Sequence, residues 1–164
     1  MPSGESAAVI LAALKDAGVN VIASLPDFSL AKIVEALFED NEIRHVPLSR
    51  EEEGVGICTG AYFAGARCAL VMQNGGMLNS CNALVTTALQ FQIPMLLVVL
   101  YSGAHGDKAF PMLGQVTEPV LDALGIPCHP LERIEDASFV IGGALVQAYN
   151  MKKPVAVLLH KRIL

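Results

Sequence analysis

Residues 68–100 read CALVMQNGGMLNSCNALVTTALQFQIPMLLVVL. Two stretches in it, 68–72 and 94–100, are apolar without alternation, so whatever strand each forms is covered on both faces. Between them a Gly pair precedes residues 79–91, whose apolar positions recur at helical spacing. A doubly covered strand, a helix and a second doubly covered strand form the repeating unit of a parallel sheet with helices on both sides.

The flanking sequence continues the alternation. Helical periodicity is expected over 5–17, closed by Gly18, and over 29–39, 52–65, 117–124 and 134–151. Short apolar runs at 19–24, 43–48 and 155–160 read as further strands. The expected fold is α/β: a three-layer arrangement, an about six-stranded parallel sheet with helices on both faces, formed by residues 1–164 as a single domain. In such sheets ligands gather outside the carboxyl ends of the strands. That directs attention to the connections at 26–27, 49–53, 73–79 and 101–115.

Composition narrows the function classes. The net charge is −5 and the Lys and Arg residues are scattered, which argues against nucleic acid. The longest apolar run, 94–100, is far short of the about 20 residues a membrane span needs. The first residues carry no basic leader, so a cytoplasmic location is expected. Charged residues make up 16% of the chain, against about 25% in ordinary domains. The surplus apolar surface is expected to face other subunits. Cys58, Cys68, Cys81 and Cys128 form no CxxC pair and no HxxxH exists, so reduced thiols are expected and no metal ligands are assigned.

Three stretches could carry chemistry. The first, REEEGVGICTGAYFAG at 50–65, sets three carboxylates before small residues. Acidic residues suit a first helical turn, each by about 0.3–1 kcal/mol, and that accounts for them without any function. It does not account for Gly54, Gly56 and Gly60, since Gly costs up to about 1 kcal/mol in a helix relative to Ala; small residues there imply that something packs very close. The second, MQNGGMLNSCNAL at 72–84, is either an ordinary tight turn or a Gly loop whose backbone N–H groups meet a ligand. It matches neither GxGxxG nor GxxxxGK[ST], so a dinucleotide or P-loop site is poorly supported. The third, LYSGAHGDKAFPMLGQVTEPVLDALG at 100–125, is a long polar connection in which His105, Asp107 and Lys108 could act as acid, base or anion contact, or belong to a plain surface loop.

Taken in order, these stretches with LPDFSL at 25–30 and IPMLLVV at 93–99 resemble the pyrimidine-binding (Pyr) domain of thiamine-diphosphate-dependent 2-oxo acid decarboxylases. More narrowly, the chain resembles the alpha subunits of sulfopyruvate decarboxylase, with phosphonopyruvate decarboxylase as a relative. The resemblance implies that Glu51 is the glutamate that meets N1′ of the cofactor's aminopyrimidine, exchanging a proton there to favour the 4′-imino tautomer, which can take the proton from thiazolium C2. It implies Pro26, Gln73, Asn74, Gly75, Gly76 and Asn79 beside the cofactor, and Asp27, His105, Lys108 and Gln115 on the substrate side. The activity implied is decarboxylation of a small anionic 2-oxo acid, 3-sulfopyruvate being the best match, to an aldehyde and carbon dioxide. A phosphonopyruvate or other 2-oxo acid decarboxylase subunit and a non-catalytic α/β ligand-binding or assembly module are the alternatives.

Two features depart from the family pattern. Residues 74–79 read NGGMLN, with Leu78 where a Gly is expected, and Tyr101-Ser102-Gly103 lacks the Arg that often precedes that Gly. Lys108, Arg50 and His105 are then the cations available for a sulfonate or phosphonate. The family also holds Mg2+ and the diphosphate with Gly-Asp-Gly followed later by Asn, and HGDKAF at 105–110 has no such sequel. A separate beta subunit carrying that motif is therefore expected, in a hetero-oligomer.

Overall fold

A computed structural model describes residues 4–164. Six parallel strands form one sheet in the order β2-β1-β3-β4-β6-β5: β1 Val21–Ser24, β2 Arg44–Pro47, β3 Cys68–Gln73, β4 Met95–Tyr101, β5 Cys128–Leu131 and β6 Pro154–His160. The central strands β3, β4 and β6 are buried almost throughout. Helices α1 (Gly4–Asp16), α2 (Ala31–Glu39) and α7 (Ala137–Met151) pack on one face around Ile10, Leu14, Ile33 and Ile141. The other face is covered by α3 (Glu51–Phe63), α4 (Asn74–Asn79), α5 (Cys81–Ala83) and α6 (Pro111–Ala123), with Val55, Met77, Leu84 and Leu121 in the core. The three-layer α/β fold read from the alternation is the one observed.

The differences have local causes. β5 was not marked in the sequence because it is short and contains His129 and Pro130; it is an edge strand, where Pro is tolerated. The expected helix 79–91 is instead α4, a break at Ser80, α5 and a π-helical segment Leu84–Leu89. The expected turn at 73–79 is corrected too: β3 runs through Gln73 and α4 starts at Asn74, so the Gly pair lies inside a helical turn, and neither glycine has positive φ. α6 starts at Pro111 and not at 117; Pro is well placed at a helix start, where its missing N–H is not needed. Gly114 looks like a breaker but fills a packing need, since a Cβ there would collide with the carbonyl of Gly103.

The glycines of α3 divide into two kinds. Gly54 faces the sheet, and a Cβ on it would run into Leu70 and Leu48, whereas Gly56 and Gly60 have open space beside them. Gly54→Ala is therefore expected to cost about 1–3 kcal/mol through overpacking. Gly56→Ala should stabilise the isolated chain by up to about 1 kcal/mol by helix propensity. Urea midpoints of the two variants, read against the parent chain, check both signs.

Candidate active site

The strand order places β1 between β2 and β3, so the chain's winding reverses at β1 and β3 and leaves a crevice outside their carboxyl ends. Four connections reach that end of the sheet: 25–27 after β1, 48–50 after β2, the start of α4 after β3, and 102–110 after β4.

The three glutamates at the start of α3 separate by geometry. The carboxylate of Glu53 accepts the backbone N–H groups of Ser49 at 3.1 Å and Arg50 at 3.3 Å, capping the helix. Glu52 pairs with Arg50 at 3.0 Å on the surface. Glu51, half-buried, turns the other way and lies against Gly76, so closely that a Cβ at residue 76 would strike its Cγ, Cδ and Oε1. Among the described residues no hydrogen bond or ion pair meets its carboxyl group. The helix start thus satisfies two carboxylates and presents the third, unspent, between α3 and α4.

A buried polar network holds α4 in place. Asn74 is fully buried, and its amide N–H donates to the Ser102 carbonyl at 2.8 Å and to Thr117 Oγ1 at 2.9 Å. Thr117 donates to the Leu113 carbonyl at 2.7 Å, and Gln73 Nε2 donates to Ser102 Oγ at 3.2 Å. The Asn74 side chain therefore points into the protein, tying α4 to β4 and α6. Asn74 Oδ1 is buried without a hydrogen-bond partner among the described residues. Ser102 and Thr117 went unnoticed in the sequence; the available signal was a hydroxyl at the end of a strand with an apolar body, and another amid the apolar positions of α6.

The other residues singled out scatter around the crevice. Pro26 is exposed; Asp27 accepts the Ser29 N–H at 2.8 Å and caps the short turn before α2. Gly75 lies beside Gln73 and Leu113, while Asn79 is exposed at the far end of α4. His105 and Lys108 are exposed on the 102–110 connection. His105 lines a hollow of about 410 Å3 with His160, Lys161 and Arg162, whereas Gln115 lines one of about 570 Å3 with Glu118, Asp122 and Cys128. Tyr101 borders both hollows; burial and its 2.8 Å hydrogen bond to Glu118 push its phenol pKa up. Neither hollow includes Glu51, so the structure does not bring His105 and Gln115 together into one cavity with it.

A match to the family model for the thiamine pyrophosphate enzyme N-terminal TPP binding domain spans residues 5–126. The chain belongs to that family. It is 38% identical over 150 residues to a sulfopyruvate decarboxylase subunit alpha of Methanococcus maripaludis, covering 90% of this chain and 89% of that protein. A protein of the same name from Methanocaldococcus jannaschii is 38% identical over 149 residues, covering 89% of this chain and 88% of the relative. Among solved structures, 2-oxoglutarate:ferredoxin oxidoreductase from Magnetococcus marinus superposes with a TM-score of 0.74 at 16% identity. The match covers 98% of this chain and 29% of that one, a likeness of fold.

The donor set fits the pyrimidine end of thiamine diphosphate: a half-buried carboxyl without a partner among the described residues, at the sheet's switch point, with a Cβ-free backbone beside it. No cluster of three or more His, Cys, Asp or Glu side chains suited to a metal occurs among the described residues.

Asp107 organises the loop that borders the crevice. Its carboxylate accepts the Gly103 N–H at 2.9 Å, pairs with Lys161 at 2.9 Å and accepts the Ala109 N–H at 3.1 Å; these contacts, the Gly103 bond foremost, hold its pKa down at about 2. A depressed carboxylate pKa contributes stability that is present above the unfolded value of about 3.9 and lost as pH falls through the folded value. The melting-temperature gap between the parent chain and Asp107→Asn should be full above pH 4 and close as pH falls from about 4 to about 2. A gap that stayed constant over that range would show that the carboxylate does not pin the loop.

Proposed function

We propose that this chain is the pyrimidine-binding subunit of a split thiamine-diphosphate-dependent decarboxylase that acts on a small anionic 2-oxo acid, with 3-sulfopyruvate as the substrate that the names of its relatives suggest. The observation that carries this reading is the carboxyl of Glu51, free of any partner among the described residues and seated on Gly76 at the switch point. Thiamine diphosphate, when bound, supplies the electron sink for the carboxylate that leaves. Glu51 holds the proton at N1′ of the pyrimidine, and the backbone of α4 at Gly76 fixes where that carboxyl stands. Gln73 and Pro26 border the same crevice. Lys108, exposed on the 102–110 loop, is the cationic candidate for the substrate's distal anion, with His105 on the same loop as a hydrogen-bonding one; Asp27 and Gln115 are the remaining substrate-side candidates, Gln115 in a hollow apart from that of His105.

The missing half of the site belongs to a beta subunit that brings Mg2+ and a Gly-Asp-Gly and Asn diphosphate site. The outer face of α3 suits that partner. Gly56 and Gly60 leave open space, Phe63 of the same helix is 73% exposed, and Val85 of the Leu84–Leu89 segment that packs on α3 is 43% exposed. A crevice whose key carboxyl lies in neither adjoining hollow needs a second wall to exclude water. Among the described residues no helix is long and apolar enough to cross a membrane, and we assign the assembly to the cytoplasm as a hetero-oligomer.

Mixing the chain with such a partner, Mg2+, thiamine diphosphate and 3-sulfopyruvate should release carbon dioxide. Glu51→Gln should lower kcat by about 10²–10⁴, the range for removing a positioned proton-transfer group. Undiminished turnover by Glu51→Gln would sink the mechanism, and turnover of other 2-oxo acids with none of 3-sulfopyruvate would sink the substrate assignment alone.

A further inference from the structure

The mechanism leaves α7 unused, yet its outer face is unusual for a helix on a free surface. The helix reads ASFVIGGALVQAYNM, without one charged residue. Ile141, Ala144, Leu145 and Ala148 face the core, while Phe139 stands 86% exposed and Val146 62% exposed. Phe139, Val140, Gly143, Ala144 and Gln147 of this face, with His129 of β5, line a hollow of about 340 Å3, where His129 Nε2 and Gln147 Oε1 lie 2.6 Å apart. Gly142 and Gly143 are helical, have no positive φ and would meet nothing with a Cβ, so this chain alone gives no reason for them. Each costs about 1 kcal/mol of helix propensity relative to Ala.

We propose that this face binds a second copy of the same chain, with the two α7 helices antiparallel and crossing at Gly143. Two-fold symmetry demands self-complementarity, a protrusion and its recess on one patch. Here they lie one helical turn apart. An antiparallel pair with its axis at residue 143 sets position 139 of one copy opposite position 147 of the other, so each Phe139 ring enters the hollow walled by the other copy's Gly143 and Gln147. The glycines let the two helix axes approach, because interaxial distance follows side-chain size at the crossing.

Charge at the helix ends selects the same arrangement. Glu135 and Asp136 precede α7, with Arg133 paired to Glu135 at 2.6 Å, and Lys152 and Lys153 follow it. Antiparallel pairing about residue 143 opposes the helix dipoles and brings Lys152 and Lys153 of each copy to the other's helix start, where Glu135 and Asp136 outnumber Arg133, the cation they hold at 2.6 and 3.9 Å. Two chains of net charge −5 repel in general, and an uncharged contact surface brings no like charges together. The α3 face, next to Glu51 on the opposite side of the sheet, is the one left for the diphosphate-carrying subunit.

Sedimentation equilibrium of the full chain by itself should give twice the chain mass. Phe139→Lys should weaken self-association by about 30-fold or more, as expected for loss of a central aromatic anchor, with its circular dichroism unchanged because the side chain is exposed. Gly143→Cys, treated with oxidised glutathione, should yield a covalent dimer whose disulfide joins Cys at 143 of both copies, whereas Gly60→Leu on α3 should leave the dimer intact. A parent chain that stays monomeric, or a dimer indifferent to Phe139→Lys, would overturn the proposal. So would Phe139→Lys sparing self-association while abolishing capture of the diphosphate-carrying subunit, since that would assign the face to the other partner.

Discussion

The close approach of the Glu51 carboxyl to the backbone of Gly76 is the constraint on which the site depends. It requires that α3 and α4 start side by side at the same end of the sheet, that residue 76 have no Cβ, and that Glu51 be released from the capping and pairing that occupy Glu53 and Glu52. Each condition is met by a separate feature. Parallel strands β1, β2 and β3 bring both helix starts to their carboxyl ends; Gly76 clears the space; Ser49 and Arg50 employ the other two carboxylates.

The buried network behind α4 makes this approach reproducible. Asn74 satisfies a strand-end carbonyl and a helical hydroxyl from opposite sides, so α4 cannot slide along β4 or α6 without stranding buried polar atoms, at about 1–3 kcal/mol each. The fold positions a carboxyl by fixing the helix beneath it, and among the described residues that carboxyl has no hydrogen-bond or ion-pair partner.

Much of the architecture was legible because the apolar runs at 68–72, 94–100 and 155–160 lack alternation, which only a doubly covered sheet explains. β5 was not legible, because an edge strand of four residues with His129 and Pro130 carries little burial signal. The Gly pair was misread as a turn because sequence cannot separate a glycine needed for φ from one needed for space; Gly76 is the second kind. Glu51 was distinguished from its neighbours by resemblance to a family, and the residues alone left the triplet open. Asn74 was assigned to the cofactor side, yet its side chain faces inward, since whether a polar residue at a strand end points out or in depends on partners 28 and 43 residues away.

The most direct test follows the proton that Glu51 is held to control. In the assembled enzyme in heavy water, quenched and read by proton NMR, thiamine diphosphate should exchange its C2 proton rapidly with the parent chain and about 10²–10⁴ more slowly with Glu51→Gln. Gly76→Ala, whose added methyl occupies the place of the carboxyl, should also be slow. Equal exchange rates in the parent and Glu51→Gln, with cofactor bound in both, would contradict the account.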